Sequence, residues 1–159
     1  MAKRQHHGLR SLIRYWILGL AVLSGCSSDG VEPPPPVTFY VNPATDVNNG
    51  RMVYLIIRQV GEKAFLDQTY NAVAAQAFPT SDDPALLGAY PIFPNEKKVI
   101  ELKTPAKDNM GVYLMFTQPG KLWKNLIQRP FEDSYSITLP GENNVTIGPE
   151  PGFFERWSY

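Results

Sequence analysis

The apolar positions of this chain fall in short blocks, most at the spacing of a strand and one at the spacing of a helix. Tyr15 to Leu23 is a continuous apolar run. Val37 to Val41 is β-branched and aromatic, which predicts a short strand. Asn42 to Gly50 is polar and carries Asn42-Pro43, Asp46 and Asn48. It ends in Asn49-Gly50, a pair that favours a turn with positive φ. Met52 to Val60 is apolar on both faces, as a central strand between two covering layers would be. Between Ala64 and Phe78 the period changes: Leu66, Tyr70, Val73 and Ala77 lie at helical spacing, ended by Pro79. One helix is expected, or two short ones broken near Asp67–Thr69. Thr80 to Pro94, with Asp83-Pro84 and Tyr90-Pro91, reads as a loop holding at most a short turn at Pro84–Leu87. Lys97 to Lys103 alternates and predicts a half-exposed strand. A turn at Pro105–Asn109 leads to a strong strand, Met110 to Thr117. Trp123 to Ile127 is amphipathic and ambiguous. Tyr135–Leu139 and Val145–Ile147 flank Pro140–Asn144, as a hairpin with a loop of about five residues would. Gly148 to Tyr159 is an aromatic tail with glycine and proline. Six or seven strands and one helical insertion predict an antiparallel β-sandwich.

The first block has a different meaning. Lys3, Arg4, Arg10 and Arg14 precede it, and Leu23-Ser24-Gly25 lead from it into Cys26, the only cysteine. This is the pattern of a secretory signal, too short for a stop-transfer helix. A signal that ends in Leu-Ser-Gly-Cys offers a thiolate that can form a thioether to diacylglycerol, so Cys26 is expected to be the first residue of a lipid-anchored chain. Two or more acyl chains hold a protein stably where one does not. Ser27 follows the cysteine, where aspartate would favour retention in the inner membrane under enterobacterial sorting. The outer membrane, periplasmic face, is the expected location. Ser27 to Pro36 is a tether with little to bury, reaching roughly 30 Å in polyproline geometry. The expected organisation is a signal peptide over 1–25, lipidated Cys26 and tether over 26–36, and a sandwich over 37–159.

Cleavage before Cys26 changes the charge. The whole chain balances 15 basic and 15 acidic residues; removing four basic residues and no acidic one leaves 11 against 15, a formal charge of −4. His6 and His7 leave as well. With no histidine and no unlipidated cysteine, an intrachain disulfide, a His/Cys zinc site and Ser-His-Asp or Cys-His catalysis are excluded. No metal site or cofactor is expected. The absence of a basic run argues against nucleic acid, and no Gly-rich phosphate loop occurs. The adjacent carboxylates Asp82-Asp83 and Glu132-Asp133 read as solvated loops, since sequence neighbours rarely face one substrate. Trp123 reads as a core or edge anchor. Phe153, Phe154, Trp157 and Tyr159 suit either a cover for the sandwich edge or a partner interface.

The order of these pieces resembles the outer-membrane lipoprotein family of type VI secretion systems. After the tether come a strand, Asn42-Pro43 and a polar loop ending in Gly50-Arg51. The strand ending Ile57-Arg58-Gln59-Val60 is similar to the family's hydrophobic-Arg-x-Tyr-Gln-Leu. Phe65, Tyr70 and Val73 stand where the family has its Phe and helical residues. Leu86-Leu87-Gly88 and Pro94-Asn95-Glu96 resemble its Leu-Gly step and Pro-Gly-Glu turn. Tyr113 to Phe116, Trp123-Lys124 and Asn144 to Ile147 resemble its aromatic strand, Trp-Arg pair and final strand. The resemblance implies a transthyretin-like sandwich with added helices and no catalytic role. It implies that the lipoprotein holds the periplasmic end of the inner-membrane core subunit at the outer membrane. The contact maps to the loop beside the tether: Asn42, Pro43, Asp46, Asn48, Asn49 and Arg51. A periplasmic module that binds a small ligand or assists envelope assembly is the competing reading. An enzyme on a lipid anchor comes third.

Overall fold

The computed structural model describes residues 34–78 and 82–150. Cys26, the signal and the aromatic tail beyond Glu150 lie outside them. Among the described residues, eight strands form two four-stranded sheets. One sheet has the order β4-β1-β7-β8, with β1 Val37–Pro43, β4 Lys98–Leu102, β7 Ser134–Leu139 and β8 Thr146–Pro149. The other has the order β3-β2-β5-β6, with β2 Val53–Val60, β3 Leu86–Ile92, β5 Asn109–Met115 and β6 Lys124–Ile127. All strand pairs are antiparallel except β1 with β7, which run parallel from Thr38↔Ser134 to Pro43↔Leu139. The expected antiparallel sandwich therefore contains one parallel pair, because β1 and β7 are joined through the other sheet rather than by a hairpin.

The inner faces meet in one core. Val37, Phe39 and Val41 of β1 and Ile137 and Leu139 of β7 pack against Val53, Leu55 and Ile57 of β2 and Val112 and Leu114 of β5. Strand β2 is apolar on its other face too because two short helices cover it. These are α1, Glu62–Asp67, and α2, Tyr70–Gln76. Phe65, Val73 and Ala77 bury against Ile56, Val60 and Tyr113. The break between the helices falls at Gln68 and Thr69, where Thr69 is extended and its hydroxyl accepts from the Ala72 N–H as an N-cap.

Two segments differ from expectation. The stretch read as a loop over 80–94 contains β3, an edge strand beside β2. Pro91 opposes Tyr54 there, and an edge tolerates a residue with no N–H because one side needs no ladder partner. The ambiguous segment at Trp123 resolves into β6, paired with β5 from Met110↔Ile127 to Tyr113↔Lys124.

Buried polar groups on the helix side each have a job. The Arg58 side chain is 9% exposed; it donates to Asp83 Oδ2 at 2.6 Å and to the Gln76 carbonyl at 3.1 Å, tying β2 to the end of α2. Asp83 is thus an ion-pair partner, not the solvated loop carboxylate the sequence pattern suggests. Lys124 Nζ donates to the carbonyls of Phe65, Leu66 and Gln68 at 2.6, 3.3 and 2.8 Å. It serves the bare carbonyls at the end of α1, where a cation also meets the negative end of the helix. Burial pulls the Lys124 ammonium below its ordinary pKa, with Asp67 opposing that shift. Trp123 packs edge-on to Tyr70 with ring centroids 5.1 Å apart, as an anchor would.

Candidate functional site

Strand β1 has two ends with different surroundings. At its start, Val37 pairs with Leu102 and Thr38 with Ser134. The turns after β4 and β6 lie there, and Thr104 Oγ1 donates to the Pro35 carbonyl. An open cleft of about 480 Å³ at that end is lined by Pro34–Val37, Thr104 and Arg129–Asp133. At the far end of β1, seven residues on and roughly 23 Å away at strand rise, the chain enters the β1–β2 loop. The Ala44 N–H donates to the Leu139 carbonyl, and the Asn95 N–H donates to the Ala44 carbonyl. Four connections meet at this distal end: residues 44–52, 93–97, 116–123 and 140–145. The β1–β2 loop is therefore at the opposite end of β1 from Pro34–Pro36, not beside them. A strand running straight through the sandwich must separate its two flanking segments by its own length.

The loop is narrower than expected and partly built into the fold. Asn42 and Pro43 belong to β1. The Asn42 amide lies on the sheet face, donating to Ser136 Oγ at 3.4 Å, and Pro43 is buried. Val47–Gly50 form a short 3-10 turn with Val47 fully buried. Asn48, Asn49 and Gly50 have φ of 51°, 56° and 74°, the left-handed region that asparagine tolerates and glycine prefers.

Asn48 is 2% exposed. Its Nδ2 donates to the Met52 carbonyl at 2.8 Å, and its Oδ1 accepts from the Thr117 N–H at 2.8 Å. Its own N–H donates to Asn143 Oδ1 at 2.8 Å. Every polar atom of its side chain is used within the fold. Asp46, Asn49 and Arg51 remain exposed. Asp46 lies over Gly141, where an added Cβ would collide with its carboxylate.

Asn143 and Asn144 read from sequence only as turn residues, yet they complete the arrangement. Asn143, with φ 55°, donates from Nδ2 to the Gln118 carbonyl at 3.0 Å. Asn144 Oδ1 accepts from the Leu122 N–H at 3.1 Å. The signal that could have pointed to them is the repeat of an Asn-Asn pair in two separate turns, 48–49 and 143–144. Two large apolar side chains are exposed at this end, Phe93 (46%) and Leu122 (57%). Among the described residues, no cluster of three His, Cys, Asp or Glu could hold a metal, and no helix is long and apolar enough to cross a membrane. The arrangement offers a polar surface with apolar points at Phe93 and Leu122.

The fold is thus a two-sheet sandwich with a helical cover on one sheet. The chain is similar to the type VI lipoprotein TssJ1 from Pseudomonas aeruginosa, with 18% identity, TM-score 0.62, and coverage of 76% of this chain and 99% of that one. A chain in a structure described as a type VI membrane complex matches at 17% identity and TM-score 0.58, over 72% and 98% of the two chains. A chain in a structure described as the TssM C-terminal domain (869–1107) from EAEC matches at 16% identity and TM-score 0.51, over 70% and 99%. These likenesses establish the fold. No curated protein matches the sequence. The family model for the N-terminal domain of IglE matches residues 54–139, more than half the chain. This chain belongs to that family of type VI secretion lipoproteins.

Proposed function

We propose that this chain is a non-catalytic scaffold anchored by Cys26 in the outer membrane, periplasmic side. Through the β1–β2 loop it holds the periplasmic domain of the inner-membrane core subunit of a type VI secretion system. The observation that carries the reading is the separation of the two ends of β1. The proline tether joins the domain at Val37, while Asp46, Asn49 and Arg51 stand exposed at the distal end. A lipid anchor on one end then turns the loop away from the anchoring membrane, towards a partner from the other side. The family and the likeness to chains from a type VI membrane complex and from a structure of the TssM C-terminal domain support a partner of that kind. The tether reaches only roughly 30 Å, so the partner must come to the domain.

Two experiments test this. Cys26→Ser should abolish incorporation of radiolabelled palmitate and release the protein from membranes; a variant still acylated and membrane-bound would refute the anchor. Replacing Asp46, Asn49 and Arg51 with glycine or serine should leave thermal unfolding unchanged. It should weaken capture of the purified periplasmic domain of the inner-membrane subunit in a calorimetric titration, and stop secretion. Unchanged binding would reject the loop.

A further inference from the structure

The three exposed loop residues do not hold their own positions. The loop they sit on passes through three successive left-handed residues, Asn48 to Gly50. Asparagine tolerates that conformation, and successive residues hold it where surrounding structure imposes it. The imposing contacts come from elsewhere in the chain. Asn143 Oδ1, on the β7–β8 turn, receives the Asn48 N–H, and Asn143 Nδ2 grips the Gln118 carbonyl on the β5–β6 connection. Asn48 Oδ1 receives the Thr117 N–H on that same connection. Two asparagines from different turns thus lock three loops to one another without strand pairing.

The same clasp fixes Leu122. Its N–H is taken by Asn144 Oδ1, and its carbonyl accepts from the Val145 N–H at 2.7 Å. Its side chain is nevertheless 57% exposed. An exposed apolar side chain on a backbone bonded at both sides is presented from a fixed position, and a partner that covers it removes apolar surface from water. The charges on the three loops balance: Asp46 and Glu142 against Arg51 and Lys121. Such a surface has little long-range field to draw a partner in.

We propose that the docking surface is the clasped platform of residues 44–52, 116–123 and 140–145. Leu122 is its apolar anchor, and Asn143 is a positioning residue that holds Asp46, Asn49 and Arg51 in their docking arrangement. The proposal rests on the reading of the β1–β2 loop as the partner contact, and it names the rest of that contact.

The test titrates the full lipidated chain in detergent with the purified periplasmic domain of the inner-membrane subunit, and follows amide exchange in the free chain. Leu122→Ser should weaken binding about tenfold or more, from the lost apolar burial, with exchange unchanged. Asn143→Ala should weaken it comparably and raise exchange over residues 44–52. Asn143→Asp, which keeps the acceptor for the Asn48 N–H, should recover part of the loss. In the background of the substituted Asp46, Asn49 and Arg51, Asn143→Ala should cost nothing further, whereas Leu122→Ser should still cost. Raising salt from 50 to 500 mM should change affinity less than threefold, as expected when no net charge is screened.

If the loop substitutions weaken binding while Leu122→Ser and Asn143→Ala bind like wild type, the platform is wrong and the loop reading stands. If the loop substitutions bind like wild type, the loop reading falls and takes the platform with it. Should Asn143→Ala fail to fold, Leu122→Ser at its exposed site and the salt titration still decide.

Discussion

The two sheets have four strands each and differ in what lies on their outer faces. The β3-β2-β5-β6 sheet has its two central strands, β2 and β5, buried on both sides, by the opposite sheet and by α1 and α2, while its edge strands β3 and β6 are mostly half-buried. The β4-β1-β7-β8 sheet is buried on one side only, and its outer face carries Thr38, Tyr40, Asn42, Ser136 and Thr138. Their burial patterns follow. β2 reads buried at six of eight positions, while β1 alternates. The first sheet therefore holds the strands buried at most of their positions, β2 and β5.

The sharpest way to break that contrast is in the core of the first sheet. Ile56 and Leu114 are both fully buried, one beneath the helices and one between the sheets. Either one changed to alanine should cost about 2–5 kcal/mol in denaturant unfolding. A loss under about 1 kcal/mol at Ile56 would show that the helical cover adds little.

Alkaline pH should unsettle the same sheet. Burial pushes the Tyr113 phenol up from 10.0 to about 12, opposed by the nearby Arg58 charge. Tyr70 and Tyr90 are raised by burial as well. Below pH 10 both the folded and the unfolded chain keep these protons, and the contribution is fully present. Between pH 10 and about 12 only the unfolded chain releases the Tyr113 proton, so stability falls as pH rises, by about 2–3 kcal/mol for that group. Tyr113→Phe should flatten the stability profile over that window.

Next in size is the ion pair under α2. Asp83→Ala leaves the Arg58 guanidinium 9% exposed without its carboxylate. Because Asp83 itself is a quarter exposed, water recovers part of the loss, and the expected cost is about 1–3 kcal/mol. Asp82→Ala, one residue away and exposed, should stay within about 0.5 kcal/mol.

Smallest should be the outer face of the second sheet. Val99 is 60% exposed opposite Tyr40, and Val99→Thr should also change stability by less than about 0.5 kcal/mol. A larger effect, measured in the same unfolding assay, would mean that this face is covered in the native protein.

These differences also govern what the sequence could reveal. Strands β2, β4, β5 and β7 carry apolar blocks with clear period, because each has at least one wholly buried face. The helical insertion and its break near Thr69 were legible from the change to helical spacing, although Leu66, counted in that spacing, is exposed and its neighbour Phe65 is the residue that buries. Strand β3 was not, since an edge position lets proline and glycine, the usual marks of a loop, sit within a ladder. The polar loop after β1 was legible as a loop, and Asn49-Gly50 as its positive-φ turn. The role of Asn48 was not, because its partners Thr117 and Asn143 lie 69 and 95 residues away. A local pattern carries no trace of such distances. The same holds for Asp83, whose partner Arg58 precedes it by 25 residues.

The placement of β1 has a mechanical consequence. Pull exerted between Val37, at the start of β1, and the loop that begins at Ala44 runs lengthwise along this one strand. β1 lies between β4 and β7, with five register pairs on one side and six on the other. Ladder hydrogen bonds stand across the strand direction, so such a load shears many of them at once instead of peeling them one after another. A strand gripped on both flanks and loaded in shear resists extraction far better than an edge strand unzipped from its end. A load applied along β1 would therefore meet the hydrogen bonds of both flanking ladders together.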